Sequence, residues 1–199
     1  MIRIAAIYGS PRRNQNSDML LDKVLEGIGA DKAAVVKIYA SSPDIQHCNS
    51  CSRCFKEGNC IIKDEMQEIY KILDKADIVI TATPVYFHNV TSHLKKLIDR
   101  CQAVWASKYI LNDSSIIKRR PRLGYVVCTA GPQQQEDYFD CTLKTLDIFH
   151  KCINARITGK LIVSNVDNIH IKENAAAQKE AVKEGKKLRK MMEEIKKIE

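Results

Sequence analysis

Residues 2–21 read IRIAAIYGSPRRNQNSDMLL and decide the fold. An almost wholly apolar run ends at Gly9, a polar run follows, and apolar residues then recur at helical spacing. This order is typical of a buried strand, a turn and an amphipathic helix. The same alternation continues along the chain, with strands predicted at residues 2–8, 33–38, 78–82, 123–129 and 157–163.

Helices are predicted between and after these strands, at residues 18–28, 65–75, 92–105, 136–151 and 173–198. Repeated strand–helix units give a parallel sheet with helices on both faces, because parallel strands need right-handed crossovers. Five such strands fit the flavodoxin-like, doubly wound α/β order 2-1-3-4-5 in one domain spanning residues 1–199. The continuous apolarity of the strands predicts burial on both faces. Ligands of such sheets bind outside the carboxyl ends of the strands, near the point where the strand order reverses.

The composition limits the possible classes of protein. With 199 residues, of which 45% are hydrophobic and 28% charged, the chain is expected to be globular rather than disordered or fibrous. The formal charge of +8 is spread along the chain, so no nucleic-acid partner is expected. The first apolar run is too short for a signal peptide or a membrane span, which predicts a cytoplasmic location without a membrane partner. In that reducing compartment, 8 cysteines indicate metal or redox chemistry rather than disulfides.

The loop after the first strand, residues 9–17, is rich in hydrogen-bond donors. It has the glycine spacing of neither a Walker loop nor a dinucleotide fingerprint. A phosphate monoester at a helix N-terminus needs backbone donors, short side-chain donors and positive charge. The side chains that can supply them are Ser10, Arg12, Asn16 and Ser17. We therefore predict phosphate binding here; the alternative is an ordinary turn with a helix cap.

The loop after the third strand has the residues of a flavin wall. An isoalloxazine ring needs an apolar or aromatic wall and backbone groups near its polar edges. The predicted residues are Pro84, Val85, Tyr86, Phe87 and Asn89. The alternative is an aromatic pair that packs on its own helix, but the position after strand three favours flavin mononucleotide (FMN).

The segment after the fourth strand gives a third edge to the same crevice. It reads Thr129-Ala130-Gly131-Pro132. Gly131 lets the backbone approach the ring closely, so Thr129 and Gly131 complete the predicted FMN site, although the segment could also be a simple turn.

Residues 41–63 form a long irregular stretch that contains the motif C-x2-C-x2-C-x5-C, made of Cys48, Cys51, Cys54 and Cys60. Three thiolates two residues apart and a more distant fourth can ligate one iron-sulfur cubane. A structural zinc site usually separates two such pairs by a dozen or more residues, so zinc is the second choice and four free thiols the third. The remaining cysteines, Cys101, Cys128, Cys141 and Cys152, are assigned to the core.

These motifs together resemble those of the iron-sulfur flavoproteins, a branch of the NADPH-dependent FMN reductase-like proteins with a flavodoxin fold. The resemblance rests on the Gly9-Ser10-Pro11-Arg12 loop, the cysteine motif followed by Asp64-Glu65-Met66, Pro84-Val85-Tyr86, and Leu97-Ile98-Asp99-Arg100. It implies one FMN and one 4Fe-4S cluster per protomer, and a homodimer or dimer of dimers. It also implies electron transfer between a ferredoxin-like donor, the cluster and FMN, and a small acceptor such as oxygen or peroxide.

Two other functions are consistent with the same residues. One is an NAD(P)H-dependent FMN or quinone reductase whose cysteine loop binds no cluster; the other is a redox-sensing binding module. The basic stretch KRRPR, residues 118–122, suits either docking of an acidic ferredoxin or mere solubility. Arg100 could reach a neighbouring subunit's cofactor, or pair with Asp99 or a helix end, and Trp105 is expected to be buried.

Overall fold

The computed structural model describes residues 1–29, 31–117 and 121–198. Their strands form one five-stranded parallel sheet in the order β2-β1-β3-β4-β5, which confirms the predicted fold. The strands are β1 (Ile2–Tyr8), β2 (Ala33–Tyr39), β3 (Ile78–Pro84), β4 (Leu123–Thr129) and β5 (Arg156–Val163). Each bound lies within two residues of its prediction.

Helices cover both faces of this sheet. They are α1 (Asn16–Ile28), α2 (Cys54–Glu57), α3 (Met66–Lys75), α4 (Ser92–Arg100), α5 (Gln102–Tyr109), α6 (Asp140–Cys152) and α7 (Ala175–Ile195). A 3₁₀ turn, Glu136–Phe139, precedes α6. In the described part of the chain, no helix combines the length and the apolar character needed to cross a membrane.

The predicted helix over residues 92–105 is two helices. The backbone leaves helical geometry at Cys101, with φ −71° and ψ 2°, and its N–H donates to the carbonyl of Ile98 at 2.9 Å. This i→i+3 bond tightens the last turn of α4 and ends it. The carbonyl of Cys101 then accepts from the N–H of Trp105, which starts α5.

Two apolar layers fill the space between the sheet and its helices. One contains Val79, Val126 and Phe149, and the other contains Ile4, Ile80 and Leu20. Burial on both faces holds for β3 and β4 but is wrong for β2, where residues 34–37 are exposed, and for β5, where only Leu161 is buried. The reason is position, because β2 and β5 are the edge strands and the flanking helices cover the centre of the sheet.

The cysteines outside the loop are not all in the core. Cys101, Cys128 and Cys152 are buried as predicted, whereas Cys141 is exposed. Cys141 lies in the first turn of α6, whose buried face begins with Thr142. Its sequence neighbours gave no sign of this, since the outward face of a helix is set by tertiary packing.

Two glycines fix the position of α1. A Cβ on Gly27 would lie 2.1 Å from the carbonyl oxygen of Val182, and one on Gly185 would lie 2.0 Å from that of Val24. No side chain fits between these backbones, so α1 and α7 touch along this crossing. The close contact matters because the N-terminus of α1 forms part of the site.

Candidate functional site

A cavity of about 300 Å³ lies at the carboxyl ends of β1, β3 and β4. It is lined by Ser10, Arg12, Gln15, Asn16, Ser17, Pro84, Val85, Tyr86, Thr129, Gly131, Pro132, Val166 and Asp167. The structure therefore brings together all the residues predicted for FMN except Phe87 and Asn89. This position, at the reversal of the strand order, is where doubly wound sheets bind their ligands.

The loop after β1 is built around Ser10. The buried Ser10 hydroxyl donates to the carbonyl of Arg12 at 2.8 Å and accepts from its N–H at 3.1 Å. Helix α1 starts directly afterwards, and the side chain of Gln15 makes no capping hydrogen bond. The first N–H groups of a helix have no partner within it, so this turn suits an anion such as a phosphate.

The side chain of Asn16 also makes two hydrogen bonds to the segment after β5, which the sequence does not predict. Its Oδ1 accepts from the N–H of Ile171 at 2.8 Å, and its Nδ2 donates to the carbonyl of Val166 at 3.4 Å. The side chain thus ties the segment after β5 to the first turn of α1. That segment contributes Val166 and Asp167 to the cavity.

Asp18 lies buried in the same first turn. Its Oδ2 accepts from the N–H of Asn14, a residue in the left-handed region with φ 57°, at 3.0 Å. The pKa of Asp18 is raised to about 6, mainly by burial, which outweighs the lowering effect of the Asn14 N–H, with a smaller contribution from the nearby Asp22. A negative charge here sits beside the turn predicted to hold a phosphate.

The turn after β3 explains why Phe87 and Asn89 lie outside the cavity. Tyr86 and Asn89 exchange backbone hydrogen bonds at 2.9 and 3.0 Å, and both Phe87 and His88 have positive φ. Phe87 is 98% exposed. Asn89 fixes the turn, because its Oδ1 accepts from the N–H of Val90 and from the Thr145 hydroxyl.

The segment after β4 closes the cavity on its third side. The Gly131 carbonyl accepts from the N–H of Asp167 at 3.1 Å. A Cβ at position 131 would lie 2.2 Å from the Asp167 carboxylate, so a side chain there would collide with the cavity wall. The polar run that follows β5 is the signal that could have indicated Asp167, but β5 is an edge strand, one strand beyond those expected to line the crevice.

A second cavity, of about 350 Å³, is lined by all four cysteines of the motif. Ser50 and Ser52 have φ values of 56° and 58°, and these left-handed residues turn the chain on either side of Cys51. Burial raises the pKa of the Cys54 thiol, its own backbone N–H lowers it, and the other three thiols raise it again. The Cys54 thiol is therefore within electrostatic reach of the other three.

The four thiols of the motif line this cavity together. Within the described ranges, no group of three or more His, Cys, Asp or Glu side chains is arranged to hold one metal ion. A single zinc ion needs its ligands within about 2.3 Å of one centre, whereas a cubane carries its cysteine ligands on separate iron atoms. The donor set of the cavity, four cysteine thiols, is one that a cubane takes.

Arg100 forms one wall of the cysteine cavity. It is 1% exposed, and its guanidinium makes a two-point ion pair with Asp64, with Nη1–Oδ2 and Nη2–Oδ1 distances of 2.5 and 3.0 Å. Asp99, by contrast, pairs with Lys95 on the surface. The sequence pattern did not indicate Asp64 as the partner, because 36 residues separate the two side chains.

The sequence also predicts the burial of Trp105 and a role for the basic stretch at residues 118–122. Trp105 is half-buried, packs against the core and lies beside the rings of Phe55 and Tyr109. Of the basic stretch, positions 118–120 lie outside the described residues. Arg122 is buried and donates to the carbonyls of Ala76, Ile153 and Asp74, so it does not belong to a docking surface.

Comparison with solved structures supports the fold. An NAD(P)H:quinone oxidoreductase from Methanothermobacter marburgensis superposes with a TM-score of 0.72 at 15% identity, over 94% of this chain and 96% of that one. An FMN-dependent NADH-azoreductase from Bacillus anthracis, solved in complex with FMN, gives 0.70 at 16% identity, over 94% and 99% of the two chains. At these identities the likeness concerns the fold alone.

The sequence comparisons define the family. The family model for NADPH-dependent FMN reductases matches residues 2–136. The matched residues include the loops after β1, β3 and β4 that line the cavity at the strand ends. The chain belongs to the NADPH-dependent FMN reductase family.

Several similar curated proteins are named iron-sulfur flavoproteins. One from Archaeoglobus fulgidus is 36% identical over 99 residues, which cover 50% of this chain and 45% of that protein. One from Methanocaldococcus jannaschii is 40% identical over 106 residues, covering 53% of each. The chain thus matches about half the length of these relatives.

Proposed function

We propose that this chain is an iron-sulfur flavoprotein, with FMN in the cavity at the strand ends and a 4Fe-4S cluster in the cysteine cavity. The observation that carries the proposal is that Cys48, Cys51, Cys54 and Cys60 line one cavity. An all-cysteine cavity supplies the four thiolate ligands that a cubane needs. The names of the similar relatives agree with this reading.

The residues of the chain have separate tasks in this proposal. Ser10, Arg12, Ser17 and the first turn of α1 hold the phosphate, and the segments after β3 and β4 flank the ring. When bound, FMN takes one or two electrons and a cubane passes them singly, so together they link one-electron and two-electron chemistry. Asn16 keeps the segment after β5 against the site through its bond to Ile171.

The electron partners follow from this chemistry. A ferredoxin-like protein is the proposed donor, and oxygen, peroxide or another small molecule the acceptor. Thiolate ligands at the exposed Cys48 and Cys51 suit a reducing cytoplasm. Ionic-strength dependence of the transfer rate tests the donor, since docking of oppositely charged proteins is screened by salt.

The two cavities share no lining residue. We therefore propose a homodimer or dimer of dimers in which the cluster of one subunit lies near the FMN of another. Analytical ultracentrifugation of the loaded protein is expected to give a dimer or tetramer. A monomer that still reduces its flavin through the cluster would overturn the assembly but leave the cofactors in place.

The first experiment is chemical. Anaerobically prepared protein is expected to contain about four iron and four sulfide per FMN. Cys54→Ala should lose iron and sulfide but keep FMN, whereas the matched control Cys141→Ala, an exposed cysteine outside the motif, should keep all three. Flavin without iron or sulfide, even after reconstitution, would rule out cluster binding.

A second candidate is an NAD(P)H-dependent FMN or quinone reductase without a cluster. It is supported by the family, whose description names NADPH. Stopped-flow bleaching of the flavin by NADPH, much faster than by a reduced ferredoxin, would favour it. The Cys54→Ala variant distinguishes the two, because its NADPH-dependent rate would then match that of the wild type.

A further inference from the structure

We propose that Arg100 is a positioning residue that holds the cysteine loop closed and raises the reduction potential of the cluster through the sulfur of Cys60. The inference rests on the proposed function, since it concerns the group that the four cysteines would ligate. The evidence for it is the set of contacts made by the buried Arg100 guanidinium. It assigns Arg100 a role in tuning the cluster in addition to its structural ion pair with Asp64.

Arg100 joins the two ends of the loop. Its Nη1 donates to the carbonyl of Gln46 at 2.9 Å and to Asp64, and the Asp64 Oδ2 accepts from the N–H of Gln46 at 2.9 Å. Residues 46 and 64 bracket all four cysteines. The guanidinium thus closes a loop that has little regular structure apart from the four-residue helix α2.

The same guanidinium reaches a cysteine sulfur. Its Nη2 lies 3.4 Å from the Sγ of Cys60, while the backbone carbonyl of Cys60 accepts from the side chain of Gln67 at 3.0 Å. Cys60 is therefore held through both its backbone and its side chain. A hydrogen bond to a ligating sulfur withdraws charge from it and favours the reduced cluster, which raises the potential.

A structural role alone does not account for this arrangement. A buried ion pair is often no more stabilising than apolar residues of similar volume. The Nε of Arg100 is also buried without a hydrogen-bond partner, and an unsatisfied buried donor is costly. An effect of the guanidinium charge and N–H on the Cys60 sulfur gives a reason for Arg100 to be buried there despite this cost.

The test compares Arg100→Lys, Arg100→Gln and Asp64→Asn with the wild type, all prepared anaerobically with FMN. The matched control is Arg53→Gln, which removes an arginine from the same loop that is exposed and pairs with Glu57. Three quantities are measured: iron and sulfide content, the midpoint potential from a redox titration followed by electron paramagnetic resonance, and hydrogen exchange of residues 46–64 in cluster-free protein.

The two Arg100 variants are expected to have a lower midpoint potential and faster exchange than the wild type, with Arg53→Gln unchanged in both. Asp64→Asn keeps Arg100 but weakens its anchor, so it should show the faster exchange with a smaller shift in potential. Wild-type potential in Arg100→Lys and Arg100→Gln would overturn the tuning, as would an equal shift in Arg53→Gln, which would reflect charge alone.

Failure of the proposed function is recognised separately. Wild-type protein without iron and sulfide would refute the cluster, and with it the tuning of its potential. The closure of the loop is still decided in that case, because hydrogen exchange needs no cluster. Unchanged exchange in both Arg100 variants would refute the closure.

Discussion

The cavity at the strand ends and the cysteine cavity are built in different ways. The first is made by the ends of three neighbouring strands and the N-terminus of α1, so regular structure places its residues. The second is made by a loop whose ends are joined by Arg100 and Asp64. A site on the sheet inherits the stability of the whole core, whereas a site on such a loop depends on a few side-chain contacts.

The largest effect is expected from Asp64→Ala. This change leaves the guanidinium of Arg100 buried without its partner, and breaking a buried pair in this way costs about 3 to 5 kcal/mol. Because Asp64 belongs to the loop and not to the sheet, iron content should fall while FMN content stays near that of the wild type. Urea unfolding and cofactor analysis of the same preparation measure both quantities.

Asp147→Ala is the control for that experiment. Asp147 lines neither cavity and pairs with Lys151 on the surface, where such pairs contribute about 0.5 kcal/mol or less. It should leave both cofactors and the unfolding curve nearly unchanged. Equal loss of FMN and iron in Asp64→Ala would show that the two cavities are one cooperative unit.

The next largest effect is expected from Asp18, which lies in the first turn of α1 beside the cavity at the strand ends. The pKa of Asp18 is raised from its ordinary 3.8 to about 6, so the folded state binds an extra proton between these values. The stability from this proton is present below about pH 3.8 and is lost as the pH rises through 6. The cost of the buried charge above pH 6 is at most about 3 kcal/mol, since one pKa unit corresponds to about 1.4 kcal/mol.

Asp18→Asn should therefore be more stable than the wild type at pH 7.5, with the difference vanishing near pH 4. It should also bind FMN more tightly at pH 7.5, because a negative charge beside the phosphate is removed. Urea unfolding and FMN titration at both pH values test this, with the exposed Asp31→Asn as the control. Equal stability of Asp18→Asn and the wild type at pH 7.5 would contradict the raised pKa.

A smaller effect is expected where α1 meets α7. Gly185→Ala places a Cβ 2.0 Å from the backbone oxygen of Val24, and only movement of a helix can relieve that clash. Overpacking of this kind costs about 1 to 3 kcal/mol, and alanine's better helix propensity recovers about 1 kcal/mol of it.

The effect of Gly185→Ala on cofactor binding should be confined to the cavity at the strand ends. Because α1 carries the predicted phosphate turn, Gly185→Ala should lower both the melting temperature and the affinity for FMN without loss of iron. Lys186→Ala, one residue further along α7 on its exposed face, should change none of these. If Gly185→Ala loses iron before flavin, the cysteine loop is less independent of the core than proposed.

The sequence predicts these two regions to different depths. Strand order and the cavity at the strand ends follow from the alternation of apolar runs and helices, because the topological rule places ligands there. The spacing of the cysteine motif predicts which four cysteines would ligate a cluster. The Arg100–Asp64 pair, the tie from Asn16 to Ile171 and the break at Cys101 depend on contacts between distant segments, which no local pattern carries.

The smallest effect is expected from Phe87, where the sequence-based prediction and the structure differ. Phe87 was predicted as part of the flavin wall, but it is 98% exposed, whereas Tyr86 lines the cavity. Phe87→Ala should change FMN affinity less than twofold, while Tyr86→Ala should weaken it severalfold through loss of an aromatic surface. Isothermal titration of FMN into each variant decides between them. Strong weakening by Phe87→Ala would mean that the turn closes over the bound flavin, and the original prediction would then be right for the loaded protein.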